Sequence, residues 1–197
     1  MFKPHSPSDY PSFLLYVLDE THITVTLATA TTVLYTHNAH VLWMAVGALG
    51  SSLAAKVLKK CIKGPRPPPP SDSAPSPVRP KKTYGMPSTH STALSFYFFY
   101  TLPLLVVSQS AAKDSTSRIP YPWLVGPAVT VYWMMGLWSR KELGYHTWRQ
   151  IFVGVVFGGV LAFTWRRIWE SCSVGVYLQP LIDRIWSEVV GRGLYGH

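Results

Sequence analysis

Lys59 with Arg66-Pro67, Pro87-Ser88-Thr89-His90, and Ser139-Arg140 with His146 are three separated stretches whose residue types can do chemistry together. Lys59, Arg66 and Arg140 suit the charge of a phosphate, since arginine grips its oxygens as a fork and lysine adds a compact charge. Pro87 to His90 opens a helix, where free N–H groups and the positive helix end favour an anion. The Ser88 hydroxyl and the Thr89 N–H are candidates to bind it, with Ser139 beside Arg140. Two imidazoles divide the remaining work. Cations around an empty site favour a neutral, nucleophilic His146. It would attack phosphorus and form a phosphohistidine that water then cleaves. A bound anion reverses the local field, so that His90 can carry the proton given to the departing oxygen. If residues 145–150 are helical, Gln150 stands four places after His146, where its carbonyl can accept the second imidazole N–H and fix the tautomer. Each residue alone has an ordinary reading: an interface anchor for a basic residue, a helix cap for Ser-Thr.

The frame around these stretches is apolar. Of 197 residues 48% are hydrophobic, 14% aromatic and 14% charged, a balance suited to a chain bathed in lipid. The net charge is +9. Lys56, Lys59, Lys60, Lys63, Arg66, Arg79, Lys81 and Lys82 cluster in one region with Asp72 as its single acid, which points to an anionic ligand rather than nucleic acid. Cys61 and Cys172 form no disulfide framework and are expected as free thiols. No zinc-like Cys/His spacing and no Gly-rich nucleotide loop is present, so no metal or cofactor is predicted. Met1 to Pro11 lacks a charged-then-apolar leader, so membrane insertion is expected to rely on an internal segment.

Five apolar runs predict an all-α, polytopic membrane bundle of about five transmembrane helices, folded as a single domain over 1–197. Ile23 to Tyr35 is short, and Phe13 to Leu18 either extends it or lies along the interface. Val41 to Leu58 is rich in small residues that allow close helix approach. Ser91 to Val107, Trp123 to Trp138 with a bend expected at Gly126-Pro127, and Ile151 to Trp165 complete the set. Gly154 and Gly158, four apart, are a weak signal for close packing. Trp165-Arg166-Arg167 and Trp169 read as an interface anchor. The Pro-rich loop 64–80 and the polar turn 108–121 interrupt the runs. Leu178, Leu181, Ile182, Ile185, Trp186, Val189 and Val190 recur at helical spacing, so a C-terminal amphipathic helix is expected at the interface or against the bundle.

Alternation of crossings brings the three stretches to one membrane face. The second run ends at Lys59, the third starts just after His90, the fourth ends at Ser139-Arg140 and the fifth starts just after His146. His5, His22, His37, His40 and His197 lack such company and receive no role.

Taken together, the stretches resemble the type 2 phosphatidic acid phosphatase superfamily, which also includes vanadium haloperoxidases. Lys59 to Pro67 matches the first motif, and Pro87 to His90 the second, with Thr89 where glycine is usual. Ser139 to His146 matches the third, with Gln150 where an orienting Asp is usual. Tyr145-His146-Thr147-Trp148 with Gln150, and Tyr84-Gly85-Met86-Pro87-Ser88, are similar to the dolichyl diphosphatase branch. That resemblance implies catalysis by His146 and His90 oriented by Gln150, and binding by Lys59, Arg66, Ser88, Thr89, Ser139 and Arg140. It further implies metal-independent hydrolysis of a polyprenyl diphosphate lipid in the endoplasmic reticulum membrane, with a luminal site serving lipid-carrier recycling for N-glycosylation. Lys113, Arg118, Arg166 and Arg167 would then mark the cytoplasmic side. Another lipid phosphate as substrate, or a catalytically degenerate lipid-binding member, are the alternatives.

Overall fold

The computed structural model describes residues 7–68, 83–112 and 122–195. Among the described residues, a single 3-10 turn is followed by seven α-helices: α1 (Phe13–Asp19), α2 (Thr21–Thr36), α3 (Ala39–Ile62), α4 (Thr89–Ala112), α5 (Pro122–Glu142), α6 (Trp148–Ser171) and α7 (Val174–Tyr195). No strand occurs among the described residues. Local signals set several boundaries. Ser12 caps α1 by accepting from Leu15 N–H, and Asn38 caps α3 by accepting from His40 N–H. Lys63, in the left-handed conformation, ends α3 with its N–H on the Lys59 carbonyl.

The bundle is turned outward. On α6, Ile151, Gly154, Gly158 and Ala162 are buried, while Phe152, Val156, Val160 and Phe163 are exposed on another face. On α3, Gly47, Ala48, Ser51, Ala55 and Lys59 are buried and Leu49, Leu53 and Val57 exposed. Small and polar groups inside with large apolar groups outside is the pattern for a lipid solvent. Among the described residues, α3 and α6 are both long and apolar enough to cross a membrane. The 24 residues of α4 and 21 of α5 match the length, about 20 residues, that a bilayer core asks for.

The most extensive contact joins α4 to α6. Gly154 and Gly158 lie directly against the α4 backbone. A Cβ on Gly154 would come 2.9 Å from the Ser88 carbonyl, and one on Gly158 would collide with the Thr92 carbonyl. Ser91, Thr92 and Ser95 are fully buried in this seam. Two tryptophans tie α3 to α6: Trp43 Nε1 donates to the Trp165 carbonyl, Trp165 Nε1 to the Trp43 carbonyl, and the rings stack at 4.3 Å. On α5, Trp133 Nε1 donates to Ser95 Oγ at 3.0 Å and its ring stacks on Phe98.

Several boundaries are decided or shifted by the structure. Of the two expectations for Phe13 to Leu18, extension of α2 is not what is observed. The chain breaks at Glu20, and Leu15 and Leu18 of α1 are buried, Leu15 in a cluster with Tyr10, Leu143 and Tyr145. The polar turn expected at 108–121 begins later, because α4 continues to Ala112, and residues 113–121 lie outside those described. Within the Pro-rich loop, 69–80 lies outside them as well. The C-terminal helix is longer than its periodic core. Gln179 of α7 bridges the α2–α3 turn, accepting from Ala39 N–H and donating to the His37 carbonyl.

Since the α4–α6 seam admits no side chain at Gly158, Gly158→Ala is expected to lower stability by about 1–3 kcal/mol. Gly50→Ala, inside α3 where a Cβ meets nothing within 4 Å, should leave it unchanged or raise it by up to about 1 kcal/mol. Thermal unfolding of the purified protein in detergent checks both.

Candidate active site

At one end of the bundle, the C-terminal ends of α3 and α5 and the N-terminal ends of α2, α4 and α6 surround a cleft of about 880 Å³. Lys59, Arg66, Thr89, His90, Arg140 and His146 all line it. Lys56 and Lys60 add two more cations to the wall, and none of the lining residues is acidic. A cavity of this size with cations on several sides suits an anionic headgroup.

His146 is buried, and its Nδ1 lies 3.2 Å from Gln150 Oε1. Two unambiguous neighbours fix the orientation of that amide. Thr147 N–H, which can only donate, points at Oε1 from 3.2 Å, and the Pro65 carbonyl, which can only accept, lies 2.6 Å from Nε2. With Oε1 as acceptor, Nδ1 of His146 must carry the proton. In the neutral ring, Nε2 on the other edge is then the basic nitrogen. Thr147 Oγ1 in turn accepts from Gln150 N–H, so the same residue completes the capping box that starts α6. Gly85 lies against this amide; a Cβ there would come 2.6 Å from Gln150 Nε2 and 2.9 Å from the Pro65 carbonyl.

The two arginines are held mainly by protein acceptors. Arg66 donates from Nε and Nη2 to the Thr83 carbonyl and hydroxyl and from Nη1 to the Tyr145 carbonyl. Burial lowers the affinity of its guanidinium for the proton, with Tyr145 opposing, yet the ordinary arginine value lies so high that the charge stays. Arg140 is almost fully buried. Its Nη1 meets Asp19 Oδ1 at 2.7 Å, and its Nη2 donates to the Leu18 carbonyl and to Ser139 Oγ. Asp19 is a hub: its Oδ2 also accepts from Tyr10 OH at 2.6 Å and Tyr145 OH at 3.0 Å. Burial alone would raise the Asp19 carboxyl, but the Tyr10 hydrogen bond, the Arg140 charge and the Tyr145 hydrogen bond outweigh it and hold the group below the usual carboxylate range. Burial, then the Asp19 carboxylate, push both phenols upward, so both remain protonated donors.

Three candidate residues stand behind the wall. Ser88 is fully buried, and its hydroxyl serves Ser91 N–H and Ser91 Oγ, capping α4. Its own N–H donates to the Gln150 carbonyl, tying α4 to α6. Ser139 donates its hydroxyl to the Gly136 carbonyl and accepts from Arg140. Gln150 reaches the site through His146. Among the described residues, no group of three or more His, Cys, Asp or Glu could hold a metal ion.

Asp19, Tyr10 and His22 are neighbours of the candidate site that motif reasoning passes over. His22 lines the cleft. One signal was available: counting crossings back from Lys59 puts the start of α2, and with it Asp19 and His22, at the same end of the bundle.

Residues 40–172, which contain every motif stretch, match the family model described as the PAP2 superfamily. The chain belongs to the PAP2 superfamily. Among curated relatives, it is 29% identical over 161 residues to Dolichyldiphosphatase 1 of Dictyostelium discoideum, covering 81% of this chain and 65% of that protein. It is 25% identical over 178 residues to Dolichyldiphosphatase 1 of Rhinolophus ferrumequinum, covering 90% and 71%. It is 30% identical over 116 residues to Lipid phosphate phosphatase gamma of Arabidopsis thaliana, covering 57% and 46%. This PAP2 chain therefore spans from about half to under three quarters of these relatives' length. No solved structure matches it.

Asp19→Asn leaves the buried Arg140 without its counter-charge, and a loss of about 3 kcal/mol or more in stability is expected. The folded-state Asp19 value is depressed, so its contribution is complete above the unfolded carboxyl value, about 4, and fades as pH falls through the lower folded value. Unfolding curves of wild type and Asp19→Asn should stay apart at neutral pH and converge in acid.

Proposed function

We propose that this PAP2 protein is an integral-membrane lipid phosphatase that removes the terminal phosphate from a polyprenyl, dolichyl-type diphosphate. The observation that carries the reading is His146, held with a basic Nε2 in a wall of five cations by the Gln150 amide. Nε2 attacks the terminal phosphorus, a P–N bond forms, and the P–O bond to the lipid monophosphate breaks. His90, on the same wall, gives its proton to the departing oxygen. His90 then takes a proton from water as it attacks the phosphohistidine, and inorganic phosphate leaves with His146 restored. Lys59, Arg66, Arg140 and the Thr89 end of α4 stabilise the charge on the phosphoryl oxygens. The names of two relatives, both dolichyldiphosphatases, support the choice of lipid.

In this reading helices α2 to α6 are the five spans, in the endoplasmic reticulum membrane, with the cleft on the luminal side. The product lipid monophosphate then returns to use as a carrier in N-glycosylation. A second reading keeps the chemistry and changes the lipid to a phosphatidate, a sphingoid phosphate or another isoprenoid diphosphate. It draws on the similarity to a protein named as a lipid phosphate phosphatase.

Purified protein assayed against matched lipid monophosphates and diphosphates separates the two. Higher kcat/KM for the polyprenyl diphosphate is expected; preference for monophosphates favours the second reading. His146→Ala should reduce hydrolysis by roughly 10³-fold or more. Full activity in that variant would remove the covalent mechanism, and an inactive wild type would leave a lipid-binding member of the family.

A further inference from the structure

A narrow apolar groove of about 120 Å³ opens between α2, α3 and α4 beside the cleft, lined by Val25, Ala48, Leu49, Leu94 and Tyr97 among others. His22, Ser52, His90 and Ala93 line both spaces. These four residues are the junction between the cationic site and the apolar groove. A lipid diphosphate whose terminal phosphorus is at His146 must pass from charged to apolar surroundings across that junction. The phosphate next to the lipid is the leaving group and lies in line beyond the phosphorus under attack. His90, the proton donor of the proposed reaction, is at the junction, where the breaking P–O bond would be.

Resting on the diphosphate reading above, we infer that His22 binds the lipid-proximal phosphate and thereby selects diphosphates over monophosphates. Two observations support it. His22 lies in the first turn of α2 and sits at the rim shared by both spaces. Its side chain is 68% exposed, so no packing role accounts for its place there. A monophosphate lipid puts an ester oxygen and a hydrocarbon chain at the junction instead, and neither offers the charged phosphate oxygens that a ring N–H would meet.

The test uses the full chain in detergent micelles, with one short polyprenyl alcohol supplied as its diphosphate and as its monophosphate. His22→Ala should lower the ratio of diphosphate to monophosphate kcat/KM roughly tenfold, the scale of one hydrogen bond to a charged group. His22→Gln, which retains an N–H donor, should restore part of that ratio. Because the side chain is exposed, both variants are expected to melt as the wild type does. An unchanged ratio in His22→Ala, or an equal fall for both substrates, overturns the role of His22 while the substrate reading stands. A wild type that hydrolyses no diphosphate overturns the substrate reading and His22's role with it.

Discussion

The amide of Gln150 is the contact on which the site depends. Its oxygen meets Thr147 N–H and His146 Nδ1, and its nitrogen meets the Pro65 carbonyl. One planar group thus starts α6, sets the imidazole tautomer and anchors the loop that carries Arg66. A carboxylate could do the first two, and would support an imidazolium more strongly than an amide does. It has no proton to offer Pro65, however, and would repel that carbonyl. The amide exchanges charge for connection: it loses Coulomb support for His146 and gains a link between two loops of the candidate site.

That link needs a rigid base, which the α4–α6 seam supplies. Gly154 and Gly158 let the α6 backbone close on Ser88 and Thr92, and Ser88 N–H then reaches the Gln150 carbonyl. Thr89 and His90 follow on the first turn of α4, so their position relative to His146 is set by backbone contact rather than by flexible side chains. Asp19 performs the matching task for α5. It holds Arg140 against α1 through an ion pair and two phenols. With their acceptors in the protein, Arg66 and Arg140 are held in place beside the cleft, so the phosphate binding proposed for them would need little rearrangement.

The runs Val41–Leu58, Ser91–Val107, Trp123–Trp138 and Ile151–Trp165 were legible as helices because apolar length is a strong signal. Counting their crossings places Lys59, His90, Arg140 and His146 at one end. The less legible features are those that depend on neighbours distant in sequence. Asp19 and Arg140 are 121 residues apart, and nothing in either segment announces the pair. The Ser88 hydroxyl has two plausible uses in a helix-opening motif, and only the fold shows it turned to Ser91. The place of Phe13–Leu18 was open in the sequence, either extending the Ile23–Tyr35 run or lying along the interface, and the contact of α1 with Leu143 and Tyr145 is what shows the break at Glu20. The spacing of Gly154 and Gly158 was visible, but glycine is too common in membrane helices for spacing alone to identify a seam.

The tautomer of His146 is the most direct test of this account. Imidazole-¹⁵N-labelled protein in micelles, with the His146 signals identified by their loss in His146→Ala, reports which ring nitrogen carries the proton in the neutral state. Protonated Nδ1 and bare Nε2 are predicted, with the preference lost in Gln150→Leu. A neutral ring protonated at Nε2, or one indifferent to the change at Gln150, would contradict it.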